Sequence, residues 1–119
     1  MPSPDSIELK IYEQVLGGGQ PSNILLNTGV LSNGWTDEYL RLLKEATQRY
    51  EGQDCLPREI VAAVHFASWY LNIRYDAWRS FEKGKRNEQT ETNLARLRTP
   101  SEFLLLSTLV ERAKAQHTG

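Results

Sequence analysis

The chain has 119 residues, which is the length of one domain with a single hydrophobic core. Fourteen basic and fifteen acidic residues nearly cancel, so the charge predicts no general attraction to nucleic acid or anionic lipid. No stretch approaches the roughly 18 apolar residues that span a bilayer, and the N-terminus lacks the basic start and apolar run of a signal peptide. The sequence therefore predicts one cytoplasmic domain over residues 1–119, with no membrane contact.

The cysteine and histidine content restricts the chemistry. Cys55 is the single cysteine and has no partner in the chain for a disulfide, as is typical of a reducing compartment. One cysteine with His65 and His117 is too few for a zinc site of thiolates and imidazoles. The glycines at 17–19 lack the strand and the Lys-Ser/Thr of a phosphate-binding loop. We expect no metal, no cofactor and no catalytic residue, which favours a role other than an enzyme.

Glycines and prolines separate segments whose apolar residues recur at helical spacing, and strand patterns are nearly absent. The first helix is expected to begin with Ser3 as its N-cap and Pro4 at its first position, and to end at the glycines. Its apolar residues Ile7, Ile11 and Val15 recur every four residues and are expected to form one buried side. In residues 21–34 the pattern favours a helical turn followed by a loop, because the chain offers no second strand for pairing.

Two capping patterns predict helix starts further along the chain. Thr36 is the expected N-cap of the second helix, with Trp35 packing on Leu40. The stretch TPSE at 99–102 combines an N-cap, a proline at the first helical position and a capping-box glutamate. A last helix is therefore predicted to begin there, after a short helix within residues 87–98.

The longest predicted helix runs from Pro57 to Lys83 and ends at Gly84 as a C-cap. At 1.5 Å per residue it spans about 40 Å and forms the spine of the domain, with a bend at 71–74 left open. Placing its residues at 100° intervals gives an apolar arc that faces the core: Ile60, Val64, Ala67, Leu71 and Trp78. The expected fold is an all-α, single-domain bundle of four to five helices.

The opposite arc of this helix carries polar residues around one tryptophan. Its members are Arg58, His65, Trp69, Asn72, Asp76 and Arg79. Tryptophan beside arginine resembles the composition of protein–protein interfaces. The leading hypothesis is a small adaptor or regulatory protein that binds a partner protein through this arc, or associates with itself. Alternatively, another helix covers Trp69, and its indole N–H finds an acceptor such as Asp76.

A second hypothesis concerns Arg74, which falls inside the apolar arc of an uninterrupted helix. A buried guanidinium without a partner is costly, so Arg74 is expected to pair with a carboxylate, reach solvent or lie at a bend. The functional alternative is a small-molecule or catalytic site for an anion, in which Tyr70, Tyr75 and Trp78 surround Arg74.

A third hypothesis concerns the basic turn after the long helix. Lys83, Lys85 and Arg86 are candidates for contact with phosphate, as in a nucleic-acid accessory protein. Positive residues after a helix C-terminus also complement the helix dipole, and no helix-turn-helix pattern with a basic recognition helix is present. Nucleic-acid binding is the least favoured of the three hypotheses.

Overall fold

A computed structural model of the chain describes residues 6–17, 21–53, 55–101 and 104. The regular structure of these residues is entirely helical, which confirms the predicted all-α bundle. The elements are α1 (Ile7–Leu16), α2 (Pro21–Thr28), α3 (Asn33–Arg49), α4 (Arg58–His65), a π-helical turn (Phe66–Tyr70), α5 (Leu71–Phe81) and α6 (88–101). Among the described residues, every helix is too short or too polar to cross a membrane.

One hydrophobic core lies between these helices. The two halves of the long helix have different neighbours, because α4 packs on α1 whereas α5 packs on α2; α1 also contacts α3. Ile11, Ile60, Val64 and Leu71 are fully buried in this core, as the apolar spacing predicts. Each such side chain contributes about 1.5–3 kcal/mol relative to an exposed one.

The first helix begins at Ile7 with Ser6 as its N-cap. The Ser6 side chain accepts a hydrogen bond from the Leu9 backbone N–H at 3.4 Å. The proposed Ser3 cap and Pro4 lie outside the described residues, as do Gly18, Gly19, Glu102 and His117 from the predictions above. The segment expected to be a helical turn is helix α2, two turns long.

The prediction that Thr36 caps the next helix is wrong. Helix α3 begins at Asn33, four residues earlier than predicted, with the Ser32 side chain accepting from the Trp35 backbone N–H at 3.1 Å. Thr36 is fully buried, and its hydroxyl donates to the Ser32 carbonyl at 2.8 Å. Trp35 stacks on Tyr39 with ring centroids 5.6 Å apart, and its indole N–H donates to the Gln14 carbonyl at 2.9 Å.

The predicted helix start within 99–102 is also wrong, because α6 continues through Thr99 and Pro100. One face of α6 is buried along its length, at Thr90, Asn93, Leu94, Leu97 and Ser101. The Ser101 hydroxyl lies 2.7 Å from the Tyr39 hydroxyl, and both side chains are buried. Packing of this face outweighs the local capping pattern, even though a proline inside a helix costs about 3 kcal/mol.

The helix predicted at 57–83 is present but is not a continuous α-helix. The backbone N–H of Leu71 donates to the carbonyl of Phe66, five residues earlier, which defines the π turn. The Phe66 N–H is shared between the carbonyls of Ala62 and Ala63. A π turn contains one extra residue, so the segment after it is rotated by about 100° relative to an uninterrupted α-helix.

This rotation exchanges neighbouring residues between the faces of α5. Tyr75 is buried, 4% exposed, whereas Arg74 is half-buried instead of lying inside the apolar arc. On the outer side, Ile73 is 43% exposed at the place where the projection put Asn72, which is half-buried. Trp78, expected in the core, is half-buried against it.

Helix α5 ends in two residues with left-handed backbone. The Lys83 N–H donates to the Ser80 carbonyl at 3.4 Å, and the Gly84 N–H donates to the Arg79 carbonyl at 2.8 Å. This is the Schellman pattern of helix termination. Lys83 has φ 57° and Gly84 has φ 84°. The first left-handed position is therefore held by a lysine, one residue before the glycine that the sequence indicated.

Candidate interaction surface

A row of exposed side chains follows the outer side of α4, the π turn and α5. Trp69 is 58% exposed, and the aliphatic residues Val61 and Ile73 on either side of it are 39% and 43% exposed. His65 is also exposed, and its ring centroid lies 5.6 Å from that of Trp69. Exposed Arg58 and Asp76 lie at the two ends of the row. We call this row the Trp69 face; it consists of Arg58, Val61, His65, Trp69, Ile73 and Asp76.

The alternative in which another helix covers Trp69 is wrong, since more than half of this side chain is exposed to solvent. The local packing explains its outward position. Ala67 is fully buried and Ser68 is 8% exposed, so two consecutive small residues of the π turn face the core. The Ser68 hydroxyl donates to the His65 carbonyl at 3.1 Å within the same turn. With the small residues inside, the bulky indole projects to the outside.

The structure brings four of the six predicted interaction residues together on this exposed face: Arg58, His65, Trp69 and Asp76. Asn72 and Arg79 are half-buried, and both bind backbone carbonyls of their own chain. The Asn72 side-chain amide donates to Ser68 at 3.2 Å, and the Arg79 Nε donates to Lys85 at 3.3 Å.

Sequence reasoning missed the two exposed aliphatic residues of the face. Val61 lies outside the apolar arc even in the uninterrupted projection, so its position carried a usable signal. Ile73 lies still farther from that arc in the same projection, so its position carried the same signal.

The four residues of the predicted anion site form two separate contacts, Arg74 with Tyr70 and Tyr75 with Trp78. The guanidinium carbon of Arg74 lies 5.0 Å from the centroid of the Tyr70 ring, a cation–π contact. Its Nε is buried and has no hydrogen-bond partner among the described residues. Tyr75 stacks on Trp78 with centroids 5.6 Å apart. Among the described residues, an aromatic ring takes the place of the carboxylate partner expected for Arg74.

The hydroxyl group of Tyr75 is used within the fold. It donates to the Glu91 carboxylate at 2.6 Å and accepts from the Asn87 backbone N–H at 2.8 Å. The Arg86 Nε also donates to Glu91, at 3.0 Å. These hydrogen bonds, that of Arg86 foremost, lower the pKa of the Glu91 carboxyl to about 2, and burial together with Glu91 raises the pKa of Tyr75. The cluster fastens the start of α6 to α5.

Two residues of the basic turn have carboxylate partners. The Lys85 Nζ lies 3.6 Å from a Glu82 oxygen, and Arg86 forms an ion pair with Glu91. These carboxylates reduce the positive potential that Lys83, Lys85 and Arg86 would present to a phosphate backbone.

A surface cleft of about 330 Å³ lies between α1, α2 and the start of α3. Apolar side chains, among them Ile24 and Val30, line much of it. Its Gln14 and Trp35 bind each other: the Gln14 side-chain amide donates to the Trp35 carbonyl at 3.2 Å, in addition to the indole hydrogen bond described above. Within the described ranges, no group of three or more His, Cys, Asp or Glu residues is placed to hold a metal ion.

The chain matches no protein-family model, no curated protein and no solved structure.

Proposed function

We propose that this protein is a small, non-enzymatic adaptor or regulatory protein of the cytoplasm that acts by binding another protein chain through the Trp69 face. The observation that carries the proposal is the 58% exposure of Trp69. Covering the rest of this side chain would remove roughly 100–150 Å² from water, which is worth about 3 kcal/mol. Val61 and Ile73 extend the same apolar area to both sides.

The arrangement of the face supports a binding role. Protein interfaces typically have an apolar centre with tryptophan and a charged, solvated rim. Here Trp69 lies near the middle of the row, whereas Arg58 and Asp76 lie at its ends. The residues project from consecutive helical turns, so their backbone is ordered before a partner arrives and little conformational entropy is lost on binding.

The cytoplasmic location is supported by Cys55. It is the chain's single cysteine, and its thiol is free and exposed. Free thiols persist in a reducing compartment, whereas small secreted domains commonly depend on disulfides.

The two other hypotheses have weaker support. The Tyr75 hydroxyl, which would face an anion beside Arg74, is bound to Glu91. In the basic turn, Lys85 and Arg86 are paired with carboxylates. Both hypotheses stay predictions.

The test compares wild type, Trp69→Ala and a matched control, Ile24→Ala, whose side chain is 49% exposed on α2. Proteins that co-purify with each chain from its native host are identified, and the affinity of each purified partner is then measured directly. We expect Trp69→Ala to weaken binding by about 30-fold or more, as is usual for a central tryptophan, and Ile24→Ala to bind like wild type. Partners that bind all three chains equally well would refute the proposal.

A further inference from the structure

The Trp69 face has an internal symmetry about position 67. Its six residues form three pairs, and the two members of each pair lie the same number of residues before and after position 67. The two members of each pair are also complementary in chemistry. The pairs are Arg58 with Asp76, Val61 with Ile73, and His65 with Trp69. The first pair joins opposite charges, the second joins two exposed aliphatic side chains, and the third joins two rings.

Such a pattern matches the geometry of a two-fold symmetric helix pair. When two identical helices pack antiparallel across a two-fold axis, residue i of one copy faces residue j of the other, and j faces i. With the axis beside position 67, Arg58 of each copy would face Asp76 of the other. Val61 would face Ile73, and His65 would face Trp69, in both halves of the contact.

We propose that the Trp69 face binds a second copy of this chain in this antiparallel register. The inference rests on the proposed function and names its partner. Charge selects the orientation, because a parallel pair would place Arg58 beside Arg58 and Asp76 beside Asp76. The antiparallel pair instead brings opposite charges together at both ends, and two tryptophans are covered near its centre.

The size of the face sets the expected strength. From Arg58 to Asp76 the helix extends about 27 Å, and a helix is about 10–12 Å wide, so each copy buries roughly 300 Å². Stable complexes bury about 800 Å² on each partner. The dimer is accordingly weak and concentration-dependent, with a Kd between about 10 µM and about 1 mM.

The first measurement is sedimentation velocity from about 1 µM to about 1 mM protein, a range that brackets this Kd. Wild type and the Ile24→Ala control should shift from monomer to dimer as the concentration rises. Trp69→Ala should remain monomeric over the same range. Far-UV circular dichroism and the unfolding transition show that each variant is folded.

The second measurement tests the register by charge reversal. The R58D chain has acidic groups at both ends of the face, and the D76R chain has basic groups at both ends. Each chain alone should dimerise about tenfold more weakly than wild type, because both charge contacts become repulsive. An equimolar mixture of the two should dimerise like wild type, since a mixed pair has opposite charges at both contacts. The difference in dimerisation between each single variant and wild type should diminish at high salt.

The possible outcomes separate this inference from the proposed function. Wild type that stays monomeric up to about 1 mM overturns the inference, and the proposed function then depends on the partner experiment alone. A dimer that is not restored by mixing R58D with D76R overturns the antiparallel register. A dimer that survives Trp69→Ala overturns the assignment of the face itself. Restoration in the mixture, together with loss in Trp69→Ala, establishes the proposed contact.

Discussion

The packing of Gly29 against Trp78 gives a sharp test of how the helices fit together. Gly29 follows α2, has φ 69°, and lies beside the indole ring that stacks on Tyr75. A Cβ added at this position would lie 2.3 Å from Trp78 Cε2 and 2.4 Å from Cδ2. Carbon atoms pack at about 3.5–4.0 Å, so Gly29→Ala must displace the loop or the indole by about 1 Å or more.

The cost of this substitution has two parts. Alanine in left-handed backbone is strained by about 1–2 kcal/mol. Forcing a methyl group into well-packed surroundings adds about 1–3 kcal/mol. The free energy of unfolding should therefore fall by about 2–5 kcal/mol, a large share of the 5–15 kcal/mol that is typical of a native domain.

Substitutions at two other glycines separate the cost of backbone strain from the cost of steric overlap. Gly52 has φ 78° with no atom within 4 Å of an added Cβ, so Gly52→Ala should cost only the backbone strain of about 1–2 kcal/mol. Gly34 lies inside α3 with equally open surroundings, so Gly34→Ala should stabilise the protein by about 0.5–1 kcal/mol. Urea unfolding followed by circular dichroism measures all three. If Gly29→Ala costs no more than Gly52→Ala, the packing of Trp78 on this loop is refuted.

Further predictions concern other elements of the fold. Lys83→Gly should raise the free energy of unfolding by about 0.5–1 kcal/mol, because glycine relieves the left-handed strain of a lysine; a loss in urea unfolding would contradict this. Glu91 has a pKa lowered from 4.5 to about 2, so its carboxylate stabilises the fold above pH 4.5, and this contribution is lost as the pH falls towards 2. The difference in unfolding free energy between wild type and Glu91→Gln should narrow over that range, and a difference that does not change with pH would refute it. Thr90→Val should cost about 1–3 kcal/mol in chemical denaturation, because it leaves a buried amide of the α2–α3 loop without its 2.9 Å acceptor; a neutral effect would show that this hydrogen bond is absent. Deleting Ser68 should remove the extra residue of the π turn, so that the turn becomes α-helical and the orientation of α5 is preserved. Deleting Ala62 should instead rotate the residues after it relative to those before it. Thermal unfolding should therefore show a smaller loss for the first deletion, and an equal loss would contradict the role of the π turn.

Periodicity predicts the buried positions well where a helix keeps one neighbour along its length. The apolar spacing of α1 correctly placed Ile11 and Val15 in the core, and that of α4 placed Ile60 and Val64 there. Each of these short helices lies against the same part of the core, so a single repeat of about 3.6 residues describes it.

Helix starts were harder to predict because distant residues select among several local candidates. Both Ser32 and Thr36 are good N-cap residues, so propensity alone does not decide between them. In the structure, the Asn93 side-chain amide donates to the Leu31 carbonyl at 2.8 Å and to Asn33 Oδ1 at 2.9 Å. These contacts from α6 hold the chain in the conformation that starts α3 after Ser32. Their sequence separation of about sixty residues places them beyond any local pattern.

The π turn has the same kind of origin. No proline or glycine marks it, and it lies where the long helix changes its neighbour from α1 to α2. A continuous α-helix would direct Arg74 into the core and would turn Tyr75 away from Glu91. One extra residue in the turn lets α4 and α5 each bury their apolar side, and it places Ile73 at the angle where the projection puts Asn72. The charged and aromatic members of the Trp69 face were therefore evident from composition and spacing. Its aliphatic members, Val61 and Ile73, also lie outside the apolar arc of the uninterrupted projection, whereas the half-buried positions of Asn72 and Arg79 follow from the π turn and the packing of the bundle.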